Sequence, residues 1–122
     1  MSHPNLIIFY VNDVPRSTAF YRELFNVLPV EVSDGFAMFV LDNGLRFGVW
    51  QRQAVKPVVA ATGGAMELAI PLTGERQVDD LYQRWSQDAM AIAQMPERME
   101  FGYTFTALDP DGHRLRVYAP AL

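Results

Sequence analysis

The sequence predicts an α+β protein built from two copies of one βαβββ unit. Each half of the chain starts with a short apolar segment, continues with apolar residues at helical spacing, and ends with three extended segments divided by turns. Repeats of this length usually mean that the units pack on each other. With 122 residues the chain fits one domain, with repeats at about 5–51 and 65–118 and a linker at about 52–64.

The first half begins with a strand at Leu6–Val11, an apolar run rich in β-branched and aromatic residues. Asp13 is expected to cap a helix from about Val14 to Phe25, because Pro15 fits the first turn and apolar residues recur at helical spacing. Three extended segments follow, separated by the hairpin signals Asp34-Gly35 and Asp42-Asn43-Gly44: about 30–33, 36–41 and 45–51.

The second half repeats this order after a linker that ends near Gly63-Gly64. A strand is expected at about 65–72, and a helix at about Glu75–Gln87, in which Tyr82 and Trp85 share the core-facing side. Three strands complete the unit, at about 91–95, 100–107 and 114–118. Pro96-Glu97-Arg98 is expected to separate the first two of them.

The last two strands form a hairpin through the turn Asp109-Pro110-Asp111-Gly112, since Pro fixes φ and Gly supplies a positive φ. On the outgoing strand the apolar residues Leu115 and Val117 alternate with three polar or aromatic residues: Arg114, Arg116 and Tyr118. One face of this strand therefore packs against a core, and the other face is polar.

The two halves can also be aligned with each other. When the predicted helices are superimposed, Leu6 falls over Glu67, and when the final hairpin turns are superimposed, Trp50 falls over Tyr118. The alternative, that any two mixed α/β halves align this loosely, stays open at this point.

The composition excludes several classes of protein. The chain has no cysteine, which rules out disulfides, thiolate chemistry and cysteine metal sites and fits a cytoplasmic protein. Its 14 acidic and 10 basic residues are dispersed, whereas a nucleic-acid partner would require a basic patch. Leu6–Val11 is too short for a signal peptide or a membrane span, so no membrane partner is expected. No nucleophile elbow and no phosphate-binding glycine loop is present.

The Asp-Pro-Asp-Gly turn, together with Val11-Asn12-Asp13 and Ser17–Tyr21, resembles the vicinal-oxygen-chelate superfamily. Its members include glyoxalases, extradiol dioxygenases, and bleomycin and phenazine resistance proteins. The resemblance covers about residues 5–118. It implies the glyoxalase/bleomycin-resistance fold, in which the two units form a cupped mixed sheet with helices outside. It also implies a homodimer, because the cups of paired repeats are completed across a two-fold interface that protects open sheet edges.

In metal-binding members the ligands come from the first and last strands of each repeat, which motif position carries onto Leu6, Gly48, Glu67 and Arg116. Only Glu67 is a possible ligand, and an arginine repels a divalent cation. One carboxylate does not hold zinc, iron, nickel or magnesium, which as a rule require at least two or three protein ligands. We therefore expect no metal and no other cofactor.

Alternation along the strands adds further residues to the same surface: Ile8, Tyr10, Arg46, Trp50, Ala69, Arg114 and Tyr118. This apolar and aromatic lining suits a small planar ligand with an acidic group, with Trp50 stacking on the ring and Arg116 binding the acid. Two alternatives stay open. In the first, Trp50 only fills the core. In the second, Glu67 and Arg116 pair only with each other.

Within the superfamily, Arg46–Trp50 and Phe101–Phe105 resemble most the phenazine-antibiotic resistance proteins, small metal-free members that bind and sequester an aromatic drug. This resemblance implies a binding protein of the antibiotic-resistance type. The alternative is an enzyme of the glyoxalase or dioxygenase kind, with or without a metal, in which Glu67 performs acid–base catalysis if burial raises its pKa. His113 is expected to be a solvated turn residue, and His3 to be inert.

Overall fold

Each half of the chain folds as a βαβββ unit, which confirms the predicted element order. The computed structural model describes residues 2–60 and 63–121. The chain divides into two units, Met1–Thr62 and Gly63–Leu122. The elements of the first unit are β1 (Leu6–Val11), α1 (Val14–Phe25), β2 (Glu31–Val32), β3 (Phe36–Val40) and β4 (Arg46–Gln51), followed by a 3₁₀ turn at Arg52–Ala54. Those of the second are β5 (Glu67–Pro71), α2 (Glu75–Gln87), β6 (Ala91–Met99), β7 (Gly102–Leu108) and β8 (Arg114–Pro120).

Each unit contains one four-stranded mixed sheet, and the two sheets have the same topology. The strand orders are β1-β4-β3-β2 and β5-β8-β7-β6, so the first and last strands of each unit lie side by side and parallel. Tyr10 pairs with Trp50 in the first sheet, and Pro71 pairs with Tyr118 in the second. The shared pairing places Trp50 and Tyr118 at equivalent positions, as the internal alignment of the sequence predicts.

The first helix begins and ends where the sequence indicates. The Asp13 carboxylate accepts a hydrogen bond from the Arg16 backbone N–H at 3.1 Å, and Pro15 lies in the first turn, where no N–H is needed. Asn26 ends the helix in the left-handed conformation, with φ of 53°. The helix packs its aromatic side on the sheet, with the Tyr21 and Phe47 ring centroids 4.6 Å apart.

The core of the second unit lies between α2 and the adjacent face of its sheet. The Phe105 ring on β7 meets Tyr82 and Trp85 at centroid distances of 5.4 and 5.5 Å. Trp85 is buried, and Leu115 and Val117 on β8 are completely buried. The predicted core position of Trp85 is therefore confirmed, and Tyr82 lies on the same side of the helix but is partly exposed. Among the described residues, no helix is long and apolar enough to cross a membrane.

One boundary prediction is wrong. Pro96-Glu97-Arg98 does not divide two strands, because β6 runs without interruption across Ala91–Met99. β6 is the outer strand of its sheet, where proline removes no hydrogen bond that the sheet needs, and its pairing with β7 shifts register on both sides of Gln94. The chain instead reverses at residues 100–101, so that Phe101 lies in the turn between β6 and β7.

Candidate functional site

Each sheet covers its helix with one face and turns the other face away from it. In the first sheet, we call the face that points away from the helix the first open face. It is formed by Leu6, Ile8, Tyr10, Phe36, Met38, Arg46, Gly48 and Trp50, which alternate with the helix-facing core residues. Most of these side chains are apolar, and Leu6, Ile8 and Tyr10 are more than one-third exposed. Exposed apolar residues grouped on one side of a strand are typical of a binding surface.

Trp50 lies in the middle of an aromatic row on this face. Its strand neighbours in register are Tyr10 on β1 and Phe36 on β3. The Tyr10 and Trp50 ring centroids are 6.2 Å apart at 74°, an edge contact. Trp50 is partly exposed, so it does not belong to the helix-facing core. The structure therefore brings together the two aromatic residues that the sequence nominates for this unit.

The absence of a side chain at Gly48 makes room for the Phe36 ring in this row. A Cβ at Gly48 would lie 3.0 Å from the Phe36 ring, which means that the ring rests on the space a side chain would occupy. Sequence reasoning does not nominate Phe36. The turn Asp34-Gly35 places Phe36 at the start of a strand, but only the register Phe36↔Trp50 puts its side chain on this face.

The corresponding face of the second sheet is polar, and we call it the second open face. It carries Glu67, Ala69, Gln94, Thr104, Thr106, Arg114, Arg116 and Tyr118. Arg116 pairs in register with Ala69 on one side and Thr106 on the other, which places it at the centre.

Glu67 and Arg116 form a two-bond ion pair within this face. Arg116 Nε donates to Glu67 Oε1 and Nη2 donates to Oε2, both at 2.7 Å. The hydrogen bond from Arg116 is the main cause that lowers the pKa of the Glu67 carboxyl below its usual 4.5, and the reciprocal bond raises the pKa of Arg116. Of the two roles left open by the sequence, the structure shows the mutual pairing.

Two further side chains, Gln94 and Thr104, accept hydrogen bonds from the guanidinium of Arg116. Its Nη1 donates to Gln94 Oε1 at 3.0 Å and to Thr104 Oγ1 at 3.1 Å. Gln94 Oε1 also accepts from Thr106 Oγ1 at 3.0 Å, and Gln94 Nε2 donates to Glu97 at 2.8 Å. None of these partners is nominated by the sequence, because the cross-strand pairing that unites them is not visible in it.

The residues at the four family ligand positions do not fit a metal ion. Leu6 and Gly48 in the first unit supply no side-chain donor, and in the second unit both oxygens of Glu67 already accept from Arg116. Within residues 2–60 and 63–121, no three His, Asp or Glu side chains are grouped where they would hold an ion. Glu67 as an acid–base catalyst is also not supported, because its pKa is lowered, whereas that role needs it raised.

The remaining nominated residues are not among the hydrogen-bond partners of Arg116. Arg46 is exposed at the edge of the first open face. Tyr118 is partly buried, and its ring meets Phe101 edge-on at 6.1 Å. His113 follows the turn and lies beside Gly63 with intermediate exposure, and its backbone N–H donates to Asp109 Oδ1 at 2.8 Å. His3 is exposed.

Two repeated βαβββ units, each joining its first and last strands in parallel, define the class to which the protein belongs. The chain is a member of the glyoxalase/bleomycin resistance protein/dioxygenase superfamily, whose family model matches residues 3–117. The resemblance seen in the sequence is thereby confirmed. Because the superfamily includes enzymes and resistance proteins, membership does not decide between catalysis and binding.

Individual relatives of the chain include a resistance protein and two proteins with solved structures. The chain is 34% identical over 117 residues to the phenazine antibiotic resistance protein EhpR of Enterobacter agglomerans, covering 93% of this chain and 89% of that protein. It is 48% identical to protein ATC0852 of Agrobacterium tumefaciens, whose solution structure matches over 100% of both chains with a TM-score of 0.89. A glyoxalase-related enzyme from Fulvimarina pelagi matches 98% of this chain and 88% of its own with a TM-score of 0.83, but at 22% identity this likeness shows the fold alone.

Proposed function

We propose that the protein binds a small planar aromatic compound of the phenazine type and sequesters it, with no metal and no turnover. The similarity to a phenazine resistance protein supports the ligand class. The observation that carries the proposal is the partly exposed aromatic row that contains Trp50 and Tyr10, on a mostly apolar open face. Planar aromatic ligands gain affinity from such a surface through stacking and apolar burial.

The rings of Tyr10 and Trp50 are both accessible to solvent on the first open face. The Tyr10 and Trp50 rings meet edge-on, and both side chains are partly exposed on this face. Tyr10 is 40% exposed, and Leu6 and Ile8 continue the apolar surface along the same strand. A flat polycyclic ligand fits this arrangement better than a small polar metabolite does.

The chemistry of the second open face supports binding without turnover. A general base needs an unpaired lone pair and a pKa near the working pH, whereas Glu67 is paired with Arg116 and has a lowered pKa. No observation favours the alternative enzyme of the glyoxalase or dioxygenase kind.

Tryptophan fluorescence tests the proposal, since Trp50 and Trp85 are the two tryptophans of the chain. Trp85→Phe leaves Trp50 as the sole reporter, and phenazine should quench it saturably. Trp50→Phe leaves the buried Trp85 as a matched control, whose quenching should be much weaker. Phenazine recovered after incubation should be chemically unchanged. Absence of saturable quenching, or conversion of the phenazine, would contradict the proposal.

Metal content is measured separately. Protein purified without chelators should contain well below one equivalent of zinc, iron, nickel or manganese, and added EDTA should leave phenazine binding unchanged. A stoichiometric metal ion whose removal abolishes binding would favour the enzyme alternative.

We further propose that the protein is a cytoplasmic homodimer. Among the strands that the structure describes, β1 and β5 are each the end strand of a sheet, which supports dimerisation because open sheet edges favour pairing. Sedimentation equilibrium at micromolar concentration should give twice the chain mass of 13.8 kDa. A monomer would contradict this.

A further inference from the structure

Arg116 is held in one orientation and retains one unused donor. A guanidinium has five N–H groups. Four of those on Arg116 donate to Glu67, Gln94 and Thr104, with two of the four going to Glu67. The fifth, on Nη2, has no hydrogen-bond partner among the described residues. A donor held this rigidly loses little conformational freedom when a ligand accepts from it.

An exposed aromatic ring lies against the same guanidinium. The Phe101 ring centroid is 5.5 Å from Arg116 Cζ, within the range of a cation–π contact. Tyr118 meets Phe101 edge-on, with an angle of 72° between the rings. Phe101 lies in a turn and is 44% exposed, so its large apolar side chain gains little from burial in the core. Phe101, Tyr118 and Arg116 therefore form one aromatic–guanidinium cluster.

The charge of this cluster is already neutralised. A ligand carboxylate would need two parallel N–H groups of Arg116 for its strongest contact, but Glu67 occupies the Nε and Nη2 pair that provides them. The Glu67 carboxylate would also repel a second carboxylate at this distance. A neutral acceptor needs only the remaining Nη2 N–H and meets no repulsion.

We infer that the aromatic–guanidinium cluster is a subsite for an uncharged planar aromatic compound bearing a ring-nitrogen or carbonyl acceptor, and that it discriminates against the corresponding carboxylate. The inference rests on the proposed function for the aromatic class of the ligand and specifies its charge, and it is argued from the residues of the second unit alone. It replaces the acidic ligand that the sequence suggests for Arg116. The ring stacks on Phe101, and its neutral acceptor binds Arg116 Nη2.

The test compares phenazine carboxamide with phenazine carboxylate at pH 7. These probes share one ring system and differ in charge. The unmodified protein should bind the carboxamide at least about tenfold more tightly, the equivalent of one hydrogen bond to a charged group. Glu67→Gln removes the competing carboxylate, so the affinity for phenazine carboxylate should rise about tenfold while that for the carboxamide changes little. Glu97→Gln is the matched control, because Glu97 contacts Gln94 and not Arg116, and it should leave the ratio unchanged.

Phe101→Ala provides a second, independent variant. It should weaken both probes by a similar factor, since stacking does not depend on the carboxylate. If Glu67→Gln does not fold, the affinities of the two probes for the unmodified protein and for Phe101→Ala still test the inference.

The outcomes separate the inference from the proposed function. Equal or tighter binding of the carboxylate by the unmodified protein, or unchanged affinities in Phe101→Ala, would overturn the inference while a phenazine is still bound. If phenazine and both probes fail to bind, the proposed function is wrong, and the inference that depends on it is wrong too.

Discussion

Removal of the Arg116 guanidinium by Arg116→Met should lower the free energy of unfolding by about 2 kcal/mol. Exposed ion pairs contribute about 0 to 1 kcal/mol, and loss of one member of a buried pair costs about 3 to 5. The Glu67–Arg116 pair lies between these limits, because the Arg116 and Glu67 side chains are 15% and 34% exposed. Methionine keeps the apolar stem packed, and Thr104 retains its hydrogen bond to the Val117 carbonyl.

The pH dependence of this stability has a defined sign. Because the pair lowers the pKa of Glu67 in the folded protein below its usual 4.5, the stabilisation is fully present above about pH 4.5. It is lost as the pH falls through the lowered folded-state pKa. The pKa of Arg116 is raised by the same pairing, so its contribution is present throughout the range below the ordinary pKa of arginine and does not change this acid window.

Urea unfolding followed by circular dichroism measures the effect at pH 7 and at about pH 3. For a chain of this length, 2 kcal/mol corresponds to a shift in Tm of about 8 °C. Glu75→Gln is the matched control, because Glu75 pairs with Arg98 at 2.6 Å but the two side chains are 50% and 74% exposed. The control should cost less than about 1 kcal/mol. The reasoning is refuted if Arg116→Met costs no more than Glu75→Gln, or if its cost grows as the pH falls.

Two other substitutions have defined outcomes. Trp50→Ala should weaken phenazine binding by about 1 to 3 kcal/mol, measured by calorimetry, whereas unchanged affinity would remove Trp50 from the proposed site. Gly102→Ala should destabilise the fold far more than Gly44→Ala in thermal melts. Both glycines have positive φ, but a Cβ at Gly102 would overlap the Ala119 carbonyl oxygen, while nothing lies within 4 Å of the position at Gly44. Equal losses would contradict the predicted overlap.

Local patterns in the sequence predict most of the elements. The bounds of α1 and α2 agree with the prediction, because apolar spacing marks both helices and because the Asp13 cap and Pro15 act locally at the start of α1. The hairpin turns agree for the same reason, since a positive φ at Gly44 and Gly112 requires glycine locally. The family motifs near the ends of the chain were sufficient to predict the superfamily.

The failures occur where strand position overrides a local signal. Pro96 is a reliable breaker within a helix or a central strand, but β6 is an outer strand, a property of the sheet that the local sequence does not contain. This shift of the turn also moved Phe101 from a predicted strand to an exposed turn beside Arg116.

The sequence by itself determined the two repeats and which strand residues share a face, because side-chain alternation is fixed by backbone geometry. It nominated Glu67, Arg116, Tyr10 and Trp50 for the open faces. Only the tertiary structure decided that Glu67 and Arg116 bind each other, and that Gln94 and Thr104 complete the network. Glu67 and Arg116 are 49 residues apart in the chain. Contacts over such distances depend on the register between strands, which is fixed only when the whole sheet forms.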